Sequence, residues 1–487
     1  MTVALSDIAA ALAERGLLVR ADGELPAAAT GIADDSRRVQ PGNLFVAVRG
    51  WDSDGHDFLD AARDCGAIAA IVEDSTRTTL PTLLVREGRR AAALAAGAYY
   101  GNPARNLTML GVTGTNGKTT STSIMRHLFD DGTGSSASIG TLGVLIGSAG
   151  IVLPGGSGLT TPGPVELQRI LRALVDRGVR TVAMEVSSHS LEQRRVDGLE
   201  FDVAVFTNLT RDHLDYHGTM EAYLQAKARL LEYLKEDGTA VTNADAPEWD
   251  ALRPAPNALT FAARTPADIR AQDIRNTPGG SEWTLATARG SATVQLPLIG
   301  DVNVENGLAA AAAAYARGQS PEAIAARLSS VPQVAGRLEI ISTQPTVLRD
   351  YAHTPDALER TLRTARAFTQ GKVIVVFGCG GDRDKGKRPI MGEIAERGAD
   401  CAIVTSDNPR TEDPDAILDD IEMGMHETKH ERVTDRRAAI QRALDLAKDG
   451  DIVLLAGKGH ETYQIRGTTS HPFDEKEIVK EMTRTRA

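Results

Sequence analysis

The chain is poor in cysteine, has no long apolar run and carries no excess of positive charge, and each shortage removes a class of protein. Only Cys65, Cys379 and Cys401 occur in 487 residues. They form no Cys-x-x-Cys pair, so neither a disulfide framework nor a structural zinc site is encoded, and a reducing cytoplasm is the expected compartment. No apolar stretch approaches the roughly 18 residues of a membrane span. The N-terminal segment carries Asp7 and Glu14 in an amphipathic pattern, unlike the basic start and apolar block of a signal peptide. Lys and Arg number 54 against 65 Asp and Glu, a formal charge of −11 that repels nucleic acid and anionic membrane. Neither nucleic-acid binding nor membrane insertion is expected, and an anionic ligand must find a local, focused site.

What is present is a globular composition. Hydrophobic residues make up 42% and charged residues 24%, which excludes a disordered or fibrous chain. At roughly 150 residues per domain the length suggests about three domains. Residues 1–106 alternate short apolar runs with Ala-rich helical stretches, a small α/β domain. Residues 107–113 form a buried-strand pattern that leads through a Gly-rich turn into a helical segment, 119–129. Further strands are predicted at 181–186, 203–208 and 240–243 with helices between them, the pattern of a parallel sheet wrapped by helices. Residues 258–298 read as a β insertion, and helices at 304–315 and 321–328 close this central domain. After a linker at 332–336, strands at 373–377, 402–405 and 452–456 alternate with helices in a third α/β domain. Its turn Gly378-Cys379-Gly380-Gly381 lacks the third glycine of the dinucleotide fingerprint, and no ribose-binding acid follows, so an NAD-dependent oxidoreductase fits poorly.

The strongest chemical signal is Gly111-Val112-Thr113-Gly114-Thr115-Asn116-Gly117-Lys118-Thr119-Thr120, between a strand and a helix. Glycines let backbone N–H groups approach phosphate oxygens, the helix N-terminus adds a favourable dipole, Lys118 can reach the β and γ phosphates, and a Thr hydroxyl can ligate Mg²⁺. The spacing departs from the common Walker loop, because Val112 stands where its first glycine would be. A tight strand-to-helix turn is the plain alternative. Met184-Glu185-Val186-Ser187-Ser188-His189 ends another strand of the same domain, so Glu185 falls at the carboxyl edge of the sheet, where a carboxylate can hold Mg²⁺. The run Asn208-Leu209-Thr210-Arg211-Asp212-His213-Leu214-Asp215-Tyr216-His217 concentrates metal-capable and proton-transferring side chains after the next strand. Either segment alone is better read as a polar loop with satisfied hydrogen bonds; their shared position beside a phosphate loop reverses that preference.

Gly-Thr-Asn-Gly-Lys-Thr resembles the phosphate loop of Mur ligases and folylpolyglutamate synthases. Over its whole length the chain resembles the Mur peptidoglycan ligases, in particular those that add an amino acid to UDP-N-acetylmuramoyl-L-alanyl-D-glutamate. The matching segments run in family order: Asp35-Ser36-Arg37, the phosphate loop, Thr160-Thr161-Pro162, residues 185–189, Gln193 and Arg195, residues 208–217, and Ala226-Lys227. They continue with Asn303 and Asn306, Gly336-Arg337, residues 350–355, residues 380–388, Asp407-Asn408-Pro409-Arg410 and Gly457-Lys458-Gly459-His460-Glu461.

The resemblance implies an α/β chain of three domains: an N-terminal UDP-binding domain (1–106), a central P-loop parallel-sheet ATPase domain (107–333) and a C-terminal Rossmann-like domain that binds the amino acid (334–487). It implies an ADP-forming ligase of peptidoglycan synthesis, expected as a monomer, that uses ATP and Mg²⁺ to form an acyl phosphate on the D-glutamate end of its nucleotide-sugar dipeptide. Ser36 and Trp51-Asp52-Ser53 would hold the UDP, and Thr160, Thr161, Ser187, Gln193, Arg195 and Lys227 the muramoyl dipeptide. Gly114, Thr115, Asn116, Gly117, Lys118, Thr119 and Thr120 would bind the ATP phosphates, and Asn306, Arg337 and Asp350 the adenosine half. Thr119, Glu185 and His213 would be metal ligands. Lys227 would be carbamylated by CO₂, which turns a cation into a carboxylate for a second Mg²⁺; without the resemblance it reads as a solvated helix lysine. Lys118, His213, His353 and Lys227 would form the catalytic set, and the basic loop 380–388 would meet a phosphate-rich intermediate.

The amino acid implied is meso-diaminopimelate, bound by Arg383, Asp407, Asn408, Pro409, Arg410, Gly457 and Glu461. Diaminopimelate differs from L-lysine by one distal carboxylate, which the planar fork of Arg410 matches in a bidentate pair. Alternatives stay open: Arg410 as a turn cap after Pro409, ligation of L-lysine instead, and a regulatory NTPase that makes no bond. Another Mur step or a folate ligase is opposed by the Asp407 and Gly457 segments. No side chain declares itself as general base for the incoming amine.

Overall fold

The computed structural model describes residues 1–484 apart from 51, 52, 157, 253, 254, 256, 278, 428 and 429. Trp51 and Asp52 of the expected UDP segment lie outside the described residues. Two compact units form, one of Met1–Arg270, Ala286–Gly290 and Asn306–Ile324, the other of Ala271–Leu285, Ser291–Glu305 and Ala325–Ala487. Among the described residues no helix is long and apolar enough to cross a membrane.

Among the described residues the first unit holds two large sheets and a short antiparallel pair, Val3–Ala4 with Ala28–Ala29. The N-terminal large sheet orders its strands Leu18–Asp22, Thr82–Val85, Ala69–Val72, Asn43–Val46 and Gly31–Ala33. Helices Leu5–Glu14 and Gly88–Tyr99 cover it with Leu5, Ile8, Leu12 and a run of buried alanines; alanine lets a helix lie close to a sheet and has the best helix propensity.

The central sheet runs Ile151–Leu153, Gly143–Ile146, Ser136–Gly140, Thr181–Glu185, Thr108–Thr113, Phe201–Phe206, Leu234–Asn243, Asn257–Ala262. From Ser136–Gly140 onward the pairings are parallel, and the two strands at the other edge are antiparallel. Every residue of Thr181–Glu185 and Phe201–Phe206 is buried, as expected for parallel strands covered on both faces. The helix Lys118–Phe129 follows the phosphate loop. The expected β insertion begins later than residue 258. Asn257–Ala262 joins the parallel sheet beside Leu234–Asn243, which covers Phe261 and Ala262, and the strands beyond it are Ile269–Thr277, Gly280–Thr287 and Gly290–Leu296.

The second unit contains a six-stranded sheet in the order Glu339–Thr343, Thr346–Asp350, Ile452–Ala456, Val373–Phe377, Cys401–Val404, His430–Arg432. All neighbours are parallel except the first hairpin. The last strand of this sheet in sequence, Ile452–Ala456, inserts between the second and third, so strand order reverses there, the place at whose carboxyl edge sheets of this kind bind ligands. The helix Pro355–Ala367 starts cleanly because Thr354 accepts a hydrogen bond from Ala357 N and Pro355 occupies the first turn. Apolar clusters cover both faces of the sheet.

Gly111, in the middle of Thr108–Thr113, has no room for a side chain: a Cβ there would stand 2.9 Å from the Phe201 ring and 3.3 Å from Leu230. Gly111→Val should cost about 1–3 kcal/mol by overpacking, read as a lower urea midpoint at unchanged slope; an unchanged midpoint would show that the contact is not tight.

Candidate functional site

Three adjacent strands build the first edge. Thr108–Thr113 lies in parallel register between Thr181–Glu185 and Phe201–Phe206, with Glu185 beside Val112 and Phe206 beside Thr113. The chain therefore leaves all three strands at one level, and the phosphate loop, Glu185 to Ser188 and Thr207 to Thr210 meet there.

Gly114 and Gly117 have φ of +144° and +88°, a backbone that favours glycine, and a Cβ on Gly114 would run into Thr207 Oγ1. Asn208 braces the loop twice: its backbone O accepts from Thr115 N at 2.8 Å, and its side-chain Oδ1 accepts from Asn116 N at 2.9 Å. Thr207 Oγ1 donates to Asn116 O at 2.7 Å. Lys118 folds over the loop and donates to Gly114 O and Thr115 O, both at 2.8 Å. Asn306 lies beside the loop as well, accepting from Ser121 Oγ at 3.5 Å. The buried Thr119 and Thr120 begin the following helix.

Lys227, on the helix Met220–Ala228, is only 1% exposed. It is no solvated lysine: Nζ donates to Gly114 O at 2.7 Å and lies 4.4 Å from the centre of the Tyr223 ring. Burial, and then the charge of Lys118, hold its pKa well below the ordinary lysine value, which favours the neutral, nucleophilic amine. Glu185 is equally enclosed and accepts from Thr141 N at 2.8 Å. Thr161 Oγ1 donates to Glu185 O at 2.8 Å, and Ser187 N donates back to Thr161 Oγ1 at 3.1 Å. Arg195 donates to Thr161 O at 2.9 Å and to Gln193 Oε1 at 2.6 Å. Thr160 completes the strip, with Oγ1 3.4 Å from Thr141 Oγ1. Thus Thr160, Thr161, Glu185, Ser187, Gln193 and Arg195 form one hydrogen-bonded strip. Ser36 opens a short turn capped by Asp35, and Arg38 of that turn reaches Glu166 at 3.2 Å. Ser53 is exposed, with its O accepting from Gly50 N.

His213, at φ +52°, belongs to an aromatic group with His189, Tyr216, His217 and Tyr223; the His189 and His213 rings pack edge to face at 4.8 Å. Burial, followed by the nearby His213, His217 and Arg195, pushes the His189 imidazole down to about 4, so it is neutral at pH 7. Among the described residues no group of three or more His, Cys, Asp or Glu is arranged to hold a metal ion. The donors near the loop, Thr119 hydroxyl and Glu185 carboxylate, are hard oxygens, which suits Mg²⁺: that ion usually takes one or two protein ligands and completes its shell with waters and substrate phosphates.

The second unit gathers its own polar edge. Lys458, fully buried, donates to Asn408 Oδ1 at 3.1 Å and Glu461 Oε2 at 3.0 Å, and Asn408 Nδ2 donates to the same Glu461 oxygen at 2.8 Å. Arg410, at φ +52°, donates from Nη1 to Gly381 O at 2.8 Å; among the described residues its Nε and Nη2 make no hydrogen bond. Pro409 leads into it, and its O accepts from Glu412 N at 3.1 Å. Gly457 has φ +113°, and a Cβ on it would stand 2.7 Å from Asp407 Oδ2. Arg383 donates from its exposed side chain to Asp382 O. Asp350 accepts from Leu338 N at 2.7 Å and from Thr361 Oγ1 at 3.2 Å, with its pKa raised by burial. Arg337 lies over the Tyr351 ring, and His353 Nδ1 is 2.7 Å from Tyr351 O.

Comparison with known proteins agrees with this geometry. The pattern of the Mur ligase middle domain matches residues 112–314, that of the Mur ligase glutamate ligase domain 336–459, and that of the Mur ligase family catalytic domain 29–116. A UDP-N-acetylmuramoyl-L-alanyl-D-glutamate–2,6-diaminopimelate ligase of Geobacillus kaustophilus (strain HTA426) is 46% identical over 464 residues, 93% of this chain and 94% of its own. The chain belongs to the Mur ligase family. A solved structure of a UDP-N-acetylmuramoyl-L-alanyl-D-glutamate–2,6-diaminopimelate ligase superposes with a TM-score of 0.70 at 34% identity, covering 100% of this chain and 99% of that one. The MurF ligase of Thermotoga maritima, solved in complex with ADP, shares the fold at a TM-score of 0.66 and 22% identity, over 94% of this chain and 98% of its own. The three-domain Mur ligase fold expected from the sequence is the fold of this chain.

Within this Mur ligase several site-building residues carry little sequence signal. Asn208 and Thr207 brace the loop from the neighbouring strand, and Tyr223 sits under Lys227 by helical spacing alone. Arg388, fully buried, is held by Glu412 at 2.9 Å and Asp420 at 2.8 Å and anchors the basic loop 380–388. Of these, Asn208 is the most testable. Asn208→Ala removes the side-chain contacts that hold Asn116, each worth roughly 0.5–1.5 kcal/mol, and should weaken ATP binding by up to about tenfold while circular dichroism shows the fold retained. Unchanged ATP affinity in calorimetry would show that the loop needs no brace.

Proposed function

We propose that this chain ligates meso-diaminopimelate to UDP-N-acetylmuramoyl-L-alanyl-D-glutamate at the expense of ATP, releasing ADP and phosphate, a step of peptidoglycan synthesis. The observation that carries this reading is the 46% identity over 93% of the chain to a relative named for that ligation. The proposed domain roles are UDP binding by 1–106, ATP binding by 107–333 and amino-acid binding by 334–487, and the proposed compartment is the cytoplasm, which the nucleotide substrates favour.

The chemistry follows from charge. The D-glutamate carboxylate attacks the γ-phosphorus, the bond to ADP breaks, and an acyl phosphate forms; the amine then attacks the acyl carbon, phosphate leaves, and the amine nitrogen loses a proton. The first step brings two anions together, so catalysis consists mostly of positioning and charge neutralisation. Thr115 N and Asn116 N are engaged by Asn208, so the start of the helix Lys118–Phe129 and the Lys118 ammonium supply the positive potential. Asn306, Arg337 and Asp350 are the proposed adenosine contacts, and Ser36 and Ser53 those of the UDP. Thr160, Thr161, Ser187, Gln193 and Arg195 would hold the dipeptide, Arg195 neutralising its charge. Mg²⁺, when bound, supplies further neutralisation at the phosphates, and Thr119, Glu185 and His213 are the side chains that would hold it.

Lys227 is proposed to react as the neutral amine with CO₂, giving a carbamate and releasing a proton. Its burial and its place at Gly114 O support this. In the second unit the free donors of Arg410 suit the distal carboxylate that distinguishes diaminopimelate from lysine; Asp407, Asn408 and Glu461 suit its distal amine, and Arg383 the remaining carboxylate. His353 is the proposed partner of the phosphate-rich intermediate.

Two experiments test these assignments. Lys227→Ala should nearly abolish ligation, with partial recovery in excess acetate; normal turnover would sink the carbamate. Arg410→Ala should lower kcat/KM for diaminopimelate about ten- to hundredfold, the worth of a charged hydrogen-bond partner, and affect lysine less. Equal use of lysine by the wild type, or an unchanged diaminopimelate constant in the variant, would defeat the substrate assignment.

A further inference from the structure

A fully buried guanidinium lies behind the amino-acid edge of the second unit, and none of the groups assigned above accounts for it. Arg436 opens the helix Arg436–Leu446 and Glu475 opens the helix Glu475–Arg484. Both side chains are 0% exposed, and Arg436 Nε donates to Glu475 Oε1 at 2.7 Å. Arg436 Nη2 donates to Ala456 O at 2.9 Å, the last residue of the strand that delivers Gly457 to Glu461. Its third nitrogen, Nη1, points to Asp407 Oδ2 at 3.9 Å. One side chain thus touches the C-terminal helix, the end of the central strand and the loop that carries Asp407.

Three atoms of this chain of groups, Arg436 Nη1, Asp407 Oδ2 and Glu475 Oε2, are buried and have no hydrogen-bond partner among the described residues. Burying charge is costly unless it is compensated. Here one guanidinium faces two carboxylates, which leaves the triad one negative charge in excess. That excess sits on Asp407, whose side chain is 12% exposed while Arg436 and Glu475 are sealed. Oδ2 is the inward oxygen, wedged between Arg436 and Gly457, and the Asp407 backbone is fixed from the other side by Gln464 Nε2, which donates to Asp407 O at 2.6 Å. The carboxylate is therefore turned so that its accessible part faces the edge, carrying a charge complementary to an ammonium group.

We propose that Arg436, pinned by Glu475, is a positioning residue that orients the Asp407 carboxylate to receive an ammonium group of the incoming amino acid. The Glu475–Arg436–Asp407 chain then sets affinity for that substrate without touching it. This rests on the reading of the edge as the amino-acid site, and it separates two roles that a buried ion pair can have. A pair that only pins two helices together changes stability and the active fraction. A pair that orients Asp407 changes the KM for the amino acid alone.

The test uses full-length Glu475→Gln, which keeps shape and removes charge, and Arg436→Lys, which keeps charge and loses the fork. Steady-state KM values are measured for diaminopimelate, ATP and the nucleotide-sugar dipeptide, with circular dichroism as the check on folding. Both variants should raise the diaminopimelate KM roughly tenfold, within the range for residues sharing one network, and leave the other two KM values within twofold. In an Asp407→Asn background Glu475→Gln should add little, because the group it acts through has lost its charge. The proposal is overturned if Glu475→Gln folds with an unchanged diaminopimelate KM, if all three KM values rise together, if its effect simply adds to that of Asp407→Asn, or if both single variants fail to fold, since the pair is then a structural pin. Failure of the wild type to ligate diaminopimelate at all would instead defeat the reading of the site on which the proposal rests.

Discussion

The register of three parallel strands is the constraint on which the phosphate site depends. Because Thr108–Thr113 is paired level with Thr181–Glu185 on one side and Phe201–Phe206 on the other, a loop, a carboxylate and a pair of bracing side chains leave the sheet at the same height. Parallel pairing demands helical crossovers, and those crossovers supply the rest: the helix whose N-terminus faces the phosphates, and the helix that carries Lys227 back to Gly114. A slip of one residue would move alternate side chains to the wrong face. Glu185 would then leave the edge, and Gly111 would no longer be the residue against Phe201.

A chain with a charge of −11 must concentrate positive potential where it handles phosphate. In the proposed site the helix N-terminus and Lys118 would do so for the ATP phosphates, and Arg195 for the charge of the dipeptide. Lys227 extends the same logic. Its own ammonium, only 1% exposed, would add to that of Lys118, and burial favours the neutral amine. The edge of the second unit, proposed to hold the amine of the amino acid, has the opposite character: there the buried cations Lys458 and Arg436 lie beside the carboxylates of Glu461 and Asp407.

Legibility in the sequence followed burial on both faces. The strands Val373–Phe377 and Ile452–Ala456 and the helix Pro321–Leu328 have the bounds their patterns suggested, because a continuous apolar run has few other uses. Ser136–Gly140, Gly143–Ile146 and Ile151–Leu153 gave no such signal: serine and glycine interrupt the first, and Ile151 and Val152 of the last are exposed at the sheet edge. The strand predicted at 240–243 is the buried end of Leu234–Asn243, whose early part carries the charged Lys235, Glu236 and Asp237. The phosphate loop was legible because its chemistry requires glycine and lysine at fixed spacing. Asn208 opens the polar run singled out in the sequence, but its bracing of Asn116, like the roles of Tyr223 and Arg436, was not legible, since each acts on a residue that no local pattern marks as its partner. Lys227 was misleading by itself: a lysine on a helix is ordinarily solvated, and only tertiary packing seals this one.

Bond formation coupled to ATP is the central claim, and the most direct measurement is release of ADP and of ligated nucleotide-sugar tripeptide, followed together while each substrate is omitted in turn. The account predicts one ADP per tripeptide with ATP, UDP-N-acetylmuramoyl-L-alanyl-D-glutamate and diaminopimelate all present, and negligible sustained ADP release when either acceptor is missing. Steady ADP release without the dipeptide or the amino acid, and no tripeptide, would contradict it and identify an NTPase built on the same fold.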